Sequence, residues 1–359
     1  MWRRSVLLVC TVFGVAACGG GTENGGAESV PLDELAEPLA AALCDVLARC
    51  VPIVAADQFP GGCLPYELPR IAGSTVPQLQ ELVRTGRVKY DAERMPACLA
   101  LYRTVACGAT GADIQACDQA IDGTVAVGGA CRIAMECQGN ATCDTSASCP
   151  GTCVALGGVG APCVSSTDCE SGLTCPLDQV CARRAAKGEA CAGPTAQDCI
   201  SSLACVGETG TAPGTCQEFV QGDVGATCDW NAGMVCKGGL ACVALGTAAS
   251  GSELRQCVAK SVKGGACNTG LQDSCSDGEF CPLTASDRVS GTFSATCQAY
   301  GAVGAACGDG TFACGPLGNC SSDGKCVALG RVGDACKIAQ DCLTGRCTAG
   351  ACALNLGCE

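Results

Sequence analysis

The residues with the most chemistry to offer are 38 cysteines, set in a chain that holds no histidine. A cysteine sulfur can attack an electrophile, hold a soft metal, exchange electrons or close a disulfide, and spacing separates these uses. No two cysteines form a C-x-x-C pair, so thioredoxin-like redox, zinc-ribbon and c-type haem patterns fail. The nearest approach, Cys149-Pro-Gly-Thr-Cys153, is one residue too long. No C-C or C-x-C run points to a thiolate metal cluster. The missing histidine removes Ser-His-Asp and Cys-His nucleophiles together with imidazole ligation. Paired carboxylates could still serve glycoside hydrolysis, but that needs a cleft larger than small modules build. The expectation is a chain without catalytic residues, metal or cofactor. Its cysteines, above a tenth of the sequence, are read as a disulfide scaffold.

From Cys131 onward the cysteines recur in sets of four. The first members are Cys131, Cys163, Cys191, Cys228, Cys267, Cys307 and Cys336, and a glycine precedes each by three residues (Gly128, Gly160, Gly188, Gly225, Gly264, Gly304, Gly333). A self-similar unit of 28 to 40 residues predicts seven tandem modules over residues 123–359 rather than one large core. The second and third cysteines are six apart in six modules and five apart in the last, Cys342 and Cys347. The third-to-fourth distance is six for Cys175 and Cys181 and sixteen for Cys281 and Cys297. Fixed spacings belong to segments locked by geometry, and a variable one belongs to an exposed loop that tolerates insertion. Short strand-like stretches flank that loop, such as Gly239-Leu-Ala-Cys242, so each module reads as a β-hairpin with the variable segment at its tip. The repeated glycine implies a turn with positive φ or a close backbone approach.

Four cysteines allow three pairings per module. The interlocked one, first to third and second to fourth, ties the hairpin to the segment before it and is the favoured hypothesis. It would join Cys163 to Cys175 and Cys169 to Cys181, Cys191 to Cys205 and Cys199 to Cys216, and Cys228 to Cys242 and Cys236 to Cys257. The next two modules would join Cys267 to Cys281 and Cys275 to Cys297, and Cys307 to Cys320 and Cys314 to Cys326. Each such bridge is worth ~2–3 kcal/mol of unfolded-state entropy. Aromatics are 3% of the chain, so the bridges have to serve as the core. Cys149 and Cys358 exceed the count of four. They could bond to each other only if the array folds back; other partners, or a free Cys358, are equally open. An acid precedes the second cysteine in four modules (Glu136, Asp168, Asp198, Asp341), where it could help ligate calcium or, as favoured here, cap a local turn.

Residues 31–122 have a different texture, with sparse cysteines and helical periodicity. Leu32, Leu35, Leu39, Leu43, Val46 and Leu47 form one apolar stripe. Further helices are predicted over residues 76–85, stopped by Gly86, over 94–107 with Pro96 in the first turn, and over 113–121. Six cysteines lie here (Cys44, Cys50, Cys63, Cys98, Cys107, Cys117) with 15 possible pairings. The fold class expected is thus small and disulfide-rich: an all-α cysteine-containing N-terminal domain followed by short β-hairpin modules.

Ahead of this domain, Met1-Trp-Arg-Arg supplies a positive start and Ser5 to Val15 a short apolar run. The junction Val15-Ala16-Ala17-Cys18, followed by a Gly-rich stretch, resembles the lipobox of bacterial lipoproteins. The resemblance implies cleavage of residues 1–17, acylation of Cys18, and a flexible tether over 18–30. The alternative is an ordinary cleaved signal peptide with Cys18 as a stray thiol. Gly19 carries no aspartate of the kind that retains lipoproteins at the inner membrane, which favours an outer membrane. Removing residues 1–17 takes Arg3 and Arg4 and no acid, leaving 20 basic against 35 acidic residues and a formal charge of −15. That surface repels nucleic acid and anionic lipid, so membrane attachment would come from the acyl chains alone.

Cys163-Val-Ser-Ser-Thr-Asp-Cys169-Glu-Ser-Gly-Leu-Thr-Cys175 and Cys336-Lys-Ile-Ala-Gln-Asp-Cys342-Leu-Thr-Gly-Arg-Cys347 resemble the Dickkopf N-terminal cysteine-rich pattern and the nematode EB module. The ten-cysteine Dickkopf unit is not reproduced. The whole layout is similar to surface lipoproteins of myxobacteria and their relatives. The resemblance implies a location and an architecture, and no activity. Two functions fit. One is an anchored surface protein in which the array is a stalk or an interaction surface for an extracellular or envelope protein or glycan. The other is an inhibitor of secreted proteases, using the long loops Val206–Thr215, Val243–Gln256 and Pro282–Thr296 with Arg255 and Arg288 as baits.

Overall fold

The computed structural model describes residues 29–50, 63–104 and 115–357, except 171, 177, 193–197, 201–202, 210, 230–231, 238, 248–252, 268–274, 277–278, 283–294, 308–313, 316 and 322. The leader, Cys18 and the tether up to residue 28 lie outside the described residues. The chain is small, disulfide-rich and modular, with helices at the N-terminal end and short hairpins throughout the rest.

The apolar stripe becomes a 3-10 turn at Leu32–Glu34 and then α1 (Ala36–Cys50). Leu35, Ala40 and Ala42 are buried, and the two alanines allow close packing of neighbouring helices. The next helix, α2 (Cys63–Arg70), is one the sequence hides, because Pro65 and Pro69 argue against it. Pro65 stands in the first turn, where no intrahelical N–H is needed, and the helix widens into a π turn at Ile71–Thr75 just after Pro69. It continues as α3 (Val76–Arg84), whose Val76, Leu79 and Leu82 face the core, and Gly86 at φ +70 turns the chain. Strand β1 (Val88–Tyr90), α4 (Met95–Thr104), α5 (Gln115–Ala120) and β2 (Ile121–Gly123) follow. β1 and β2 pair antiparallel, with Val88 opposite Gly123, which adds a two-stranded ribbon to the helical region. Cys44–Cys63 ties α1 to α2, and Cys98–Cys117 ties α4 to α5. Tyr90 donates its hydroxyl hydrogen to the Val30 carbonyl at 2.7 Å, fastening the incoming chain; burial pushes that phenol up to about 12.

The modules share one frame. The first contains β3 (Ala130–Cys131), β4 (Ala141–Asp144) and β5 (Gly151–Ala155), in the order β3-β5-β4. The third repeats it with Ala190–Cys191, Leu203–Val206 and Gly214–Glu218. The hairpins set the third and fourth cysteines directly opposite one another: Cys143 and Cys153, Cys205 and Cys216, Cys242 and Cys257, Cys320 and Cys326, Cys347 and Cys352. These opposed cysteines are not bonded to each other. Each reaches back instead, and the two sulfur bridges sit where a larger protein has a hydrophobic core. In the first module Cys131 and Cys153 are fully buried and cluster with Val125 and Cys137.

The array returns to its start. Leu356 is buried in the core of the helical region, with Leu354 of the same tail and Ile133 and Met135 of the first module packed around that core. Gln78 of α3 donates to the Asn355 carbonyl at 2.5 Å. Leu343 of the seventh module fills the space at Gly73 in the π turn, where a Cβ would lie 2.5 Å from its Cδ1. A Cβ at Gly357 would collide with the Arg132 carbonyl of the first module. First and seventh modules therefore both rest on the helical region, and the array is a closed loop rather than a free rod.

Candidate interaction surface

The described structure pairs the module cysteines first to third and second to fourth, seven times over. The first module has Cys131–Cys143 and Cys137–Cys153, and the second Cys163–Cys175 and Cys169–Cys181. Then come Cys191–Cys205, Cys199–Cys216, Cys228–Cys242 and Cys236–Cys257. The array ends with Cys267–Cys281, Cys275–Cys297, Cys307–Cys320, Cys314–Cys326, Cys336–Cys347 and Cys342–Cys352. The sulfurs of Cys131, Cys137 and Cys153 lie within 4.8 Å of one another, close enough to share an ion, and the same holds in other modules. All of them are spent in disulfides, so these clusters offer no thiolate to a metal.

A hydrogen-bonded turn sits against each pair of bridges. In the first module Gly129 N–H donates to the Ala126 carbonyl at 2.9 Å across Val127-Gly128. Gly128 has φ +88, the conformation a type II turn requires at its third position, and an added Cβ there would meet nothing within 4 Å. Positive φ, not crowding, accounts for the glycine. Its N–H donates to the Cys153 carbonyl at 2.8 Å while the Cys153 N–H donates back to the Gly129 carbonyl at 2.9 Å. The same reciprocal pair joins turn glycine and fourth cysteine in every module, from Gly160 and Cys181 to Gly333 and Cys352.

The second turn position points to solvent. It is valine in five modules (Val127, Val159, Val224, Val303, Val332), 40–73% exposed, and lysine in the other two, Lys187 and Lys263. An apolar knob thus recurs on a rigid turn in five of the seven modules. Sequence reasoning passed over these valines; their signal was the V-G or K-G step before every first cysteine.

Among the acids before the second cysteine, Asp168 and Asp341 cap the turn ahead of it. Asp168 Oδ2 accepts the N–H groups of Val164 and Ser165 at 2.8 and 2.9 Å, and Asp341 Oδ2 accepts those of Lys337 and Ile338 at 2.8 and 3.0 Å. Those amides hold both carboxyls below the usual aspartate range, Val164 contributing most at Asp168 and Lys337 most at Asp341. The acids also reach across to the preceding unit. Thr174 donates to Asp198 at 2.6 Å, and Arg87 of the helical region pairs with the buried Glu136 of the first module. Glu136 further accepts the Arg132 N–H at 3.1 Å.

Of the three long loops, Val243–Gln256 is mostly paired backbone: Leu240–Thr247 and Glu253–Ala259 form one ladder, with Arg255 opposite Ala244. Arg255 therefore stands in a strand and not at an exposed tip. Arg288 and most of Pro282–Thr296 lie outside the described residues. Among the described residues no helix is long and apolar enough to cross a membrane. Disulfide pairing on this scale marks a chain that folds in an oxidising compartment. No protein-family model, curated protein or solved structure matches the chain.

Proposed function

We propose that this chain is a lipid-anchored, extracytoplasmic, non-catalytic interaction protein, held by acyl groups on Cys18 and presenting its closed array to a protein or glycan of the envelope or its surroundings. One observation carries the reading. Seven modules share one bridge pattern and one reciprocal turn, while the third-to-fourth segment changes length from module to module. A constant frame with variable projections is how binding scaffolds position recognition segments. The exposed turn valines give the same frame a repeated apolar contact, and the acidic surface disfavours nucleic acid. The anchor rests on Val15-Ala-Ala-Cys18 and the Gly-rich stretch behind it, and Gly19 favours the outer membrane.

Two measurements test this. Intact mass of protein extracted from native membranes and alkylated without reduction should show a diacylglyceryl group on Cys18 and no free thiol in the modules. The lipid-free protein should bind whole cells or envelope fractions saturably. Unlipidated Cys18 removes the anchor, and absence of binding to cells, envelope fractions and their polysaccharides removes the interaction role.

A further inference from the structure

We propose that each module recognises the module that docks on it through one matched pair of side chains. The first member is the residue before a module's third cysteine, and the second is the residue before the next module's second cysteine. Where the second member is an acid, the first is a hydrogen-bond donor; where it is not, the first is apolar.

Two polar junctions show the contact. Thr174, fully buried, donates its hydroxyl hydrogen to Oδ2 of Asp198 at 2.6 Å. Asn319 donates from Nδ2 to Oδ1 of Asp341 at 2.9 Å. The helical region opens the series in the same way, with Arg87 donating from Nε to the buried Glu136 at 3.0 Å. The first–second junction carries the same residue classes, Thr142 and Asp168, and among the described residues no bond joins these two side chains.

The third–fourth junction is of the other kind. Its two positions are Ala204 and Val235, only 5% and 2% exposed. A Cβ on Gly233 would stand 3.3 Å from the Ala204 Cβ and 2.9 Å from Cγ2 of Val206, so the fourth module rests on the Leu203–Val206 strand of the third. In the remaining two junctions the second members, Ser274 and Ala313, lie outside the described residues. By sequence neither is an acid, and the first members, Ala241 and Phe280, are again apolar.

Mismatches are disfavoured on both sides. A donor set against valine leaves a buried hydroxyl with one partner fewer, and an acid set against Ala204 loses water without gaining a bond. Specificity of this kind works by rejecting the wrong partner as much as by holding the right one. Seven modules with one frame need such a distinction, because every other part of the docking face looks alike. The consequence is that adjacent modules are not interchangeable, and each variable hairpin segment keeps its place around the closed array. This holds whatever the array binds and whether or not Cys18 is acylated.

Amide exchange in the full oxidised chain tests the match. At the second–third junction the reporters are the N–H groups of Ala185 and Ile200, which donate to the Asp198 and Ala185 carbonyls at 2.8 and 3.1 Å. Thr174→Val should speed their exchange about tenfold, as expected for loss of a hydrogen bond to a charged acceptor, while Thr174→Ser should stay within about twofold of native. Adding Thr174→Val to Asp198→Val should cost nothing beyond Asp198→Val alone. At the third–fourth junction the reporters are Val220 and Lys237, whose N–H groups donate to the Gly233 and Gly222 carbonyls at 2.8 and 3.0 Å. Ala204→Thr and Val235→Asp should each speed exchange there, and the double variant should fall about tenfold short of their product. Effects that simply multiply at either junction, or a Thr174→Ser variant as fast as Thr174→Val, overturn the match. Should a fourth-module variant fail to fold, the Thr174 and Asp198 set decides alone.

Discussion

Asn319 of the sixth module donates from Nδ2 to Oδ1 of Asp341 in the seventh at 2.9 Å, while the other oxygen of the same carboxylate caps the turn before Cys342. One side chain thus closes its own module and joins it to the one before. Thr174 and Asp198 repeat the connection between the second and third modules. Asn319 and Thr174 each immediately precede a third cysteine, and the two acids each precede a second cysteine. At these two junctions the contact couples a module directly to its neighbour, the nearest-neighbour term on which a repeat array depends.

Asp341→Ala removes an acceptor shared by two backbone N–H groups. By analogy with the loss of a helix cap it should destabilise the seventh module by ~1 kcal/mol. Amide exchange at Lys337 and Ile338 checks this: both should speed up, with little change at the equivalent Val164 and Ser165.

The same caps set an acid limit. Asp168 and Asp341 have lowered folded pKa values, so as pH falls the unfolded chain binds protons first. Their contribution is full above the ordinary aspartate value of about 3.9 and is lost as pH drops through the lower folded values. Protection of the Val164, Ser165, Lys337 and Ile338 amides should persist from neutral pH to about pH 4 and then fade, with the disulfides intact. Protection that fades already near neutral pH would contradict the assignment.

Much of this was legible in the sequence, because cysteine spacing records geometry directly. The glycine three residues before each first cysteine announced the positive-φ turn seen at Gly128, and the swing in third-to-fourth spacing announced the hairpin tips. The periodic leucines announced α1 and α3. Helix α2 stayed hidden because local propensity around Pro65 and Pro69 opposes it, while the Cys44–Cys63 bridge and the packing of Ile71 overrule that preference. The closure of the array stayed hidden for a different reason. It depends on a few long-range contacts, Leu356 in the helical core and Leu343 at Gly73, which leave no periodic trace.

Gly304→Ala tests the turn. The position has φ +88, and an added Cβ meets nothing within 4 Å, so the penalty is conformational strain, ~1–2 kcal/mol. Limited proteolysis should open the sixth module of the variant first. A variant as resistant as the native chain would show that the turn does not need the left-handed conformation.

Arg87→Ala strips the guanidinium from the buried Glu136 carboxylate and takes with it the 2.5 Å bond from Arg87 to the Ala130 carbonyl. Arg87 is partly exposed, so the loss should fall at the low end for a broken buried pair, ~3 kcal/mol. Denaturant unfolding should show it, with the first module loosened from the helical region. Replacing Glu136 as well, by Gln, should recover part of the loss, since no charge is then left buried alone.

The most direct test of the closed array is a photoactivated cross-link from residue 78. A benzophenone amino acid introduced there in the full chain, irradiated and mapped by mass spectrometry, should join to residues 354–357, the segment whose Asn355 carbonyl accepts the Gln78 amide. Intramolecular adducts at those residues are the predicted result. Adducts confined to the helical region, or to other molecules, would show the seventh module standing away from it and would contradict the closed loop.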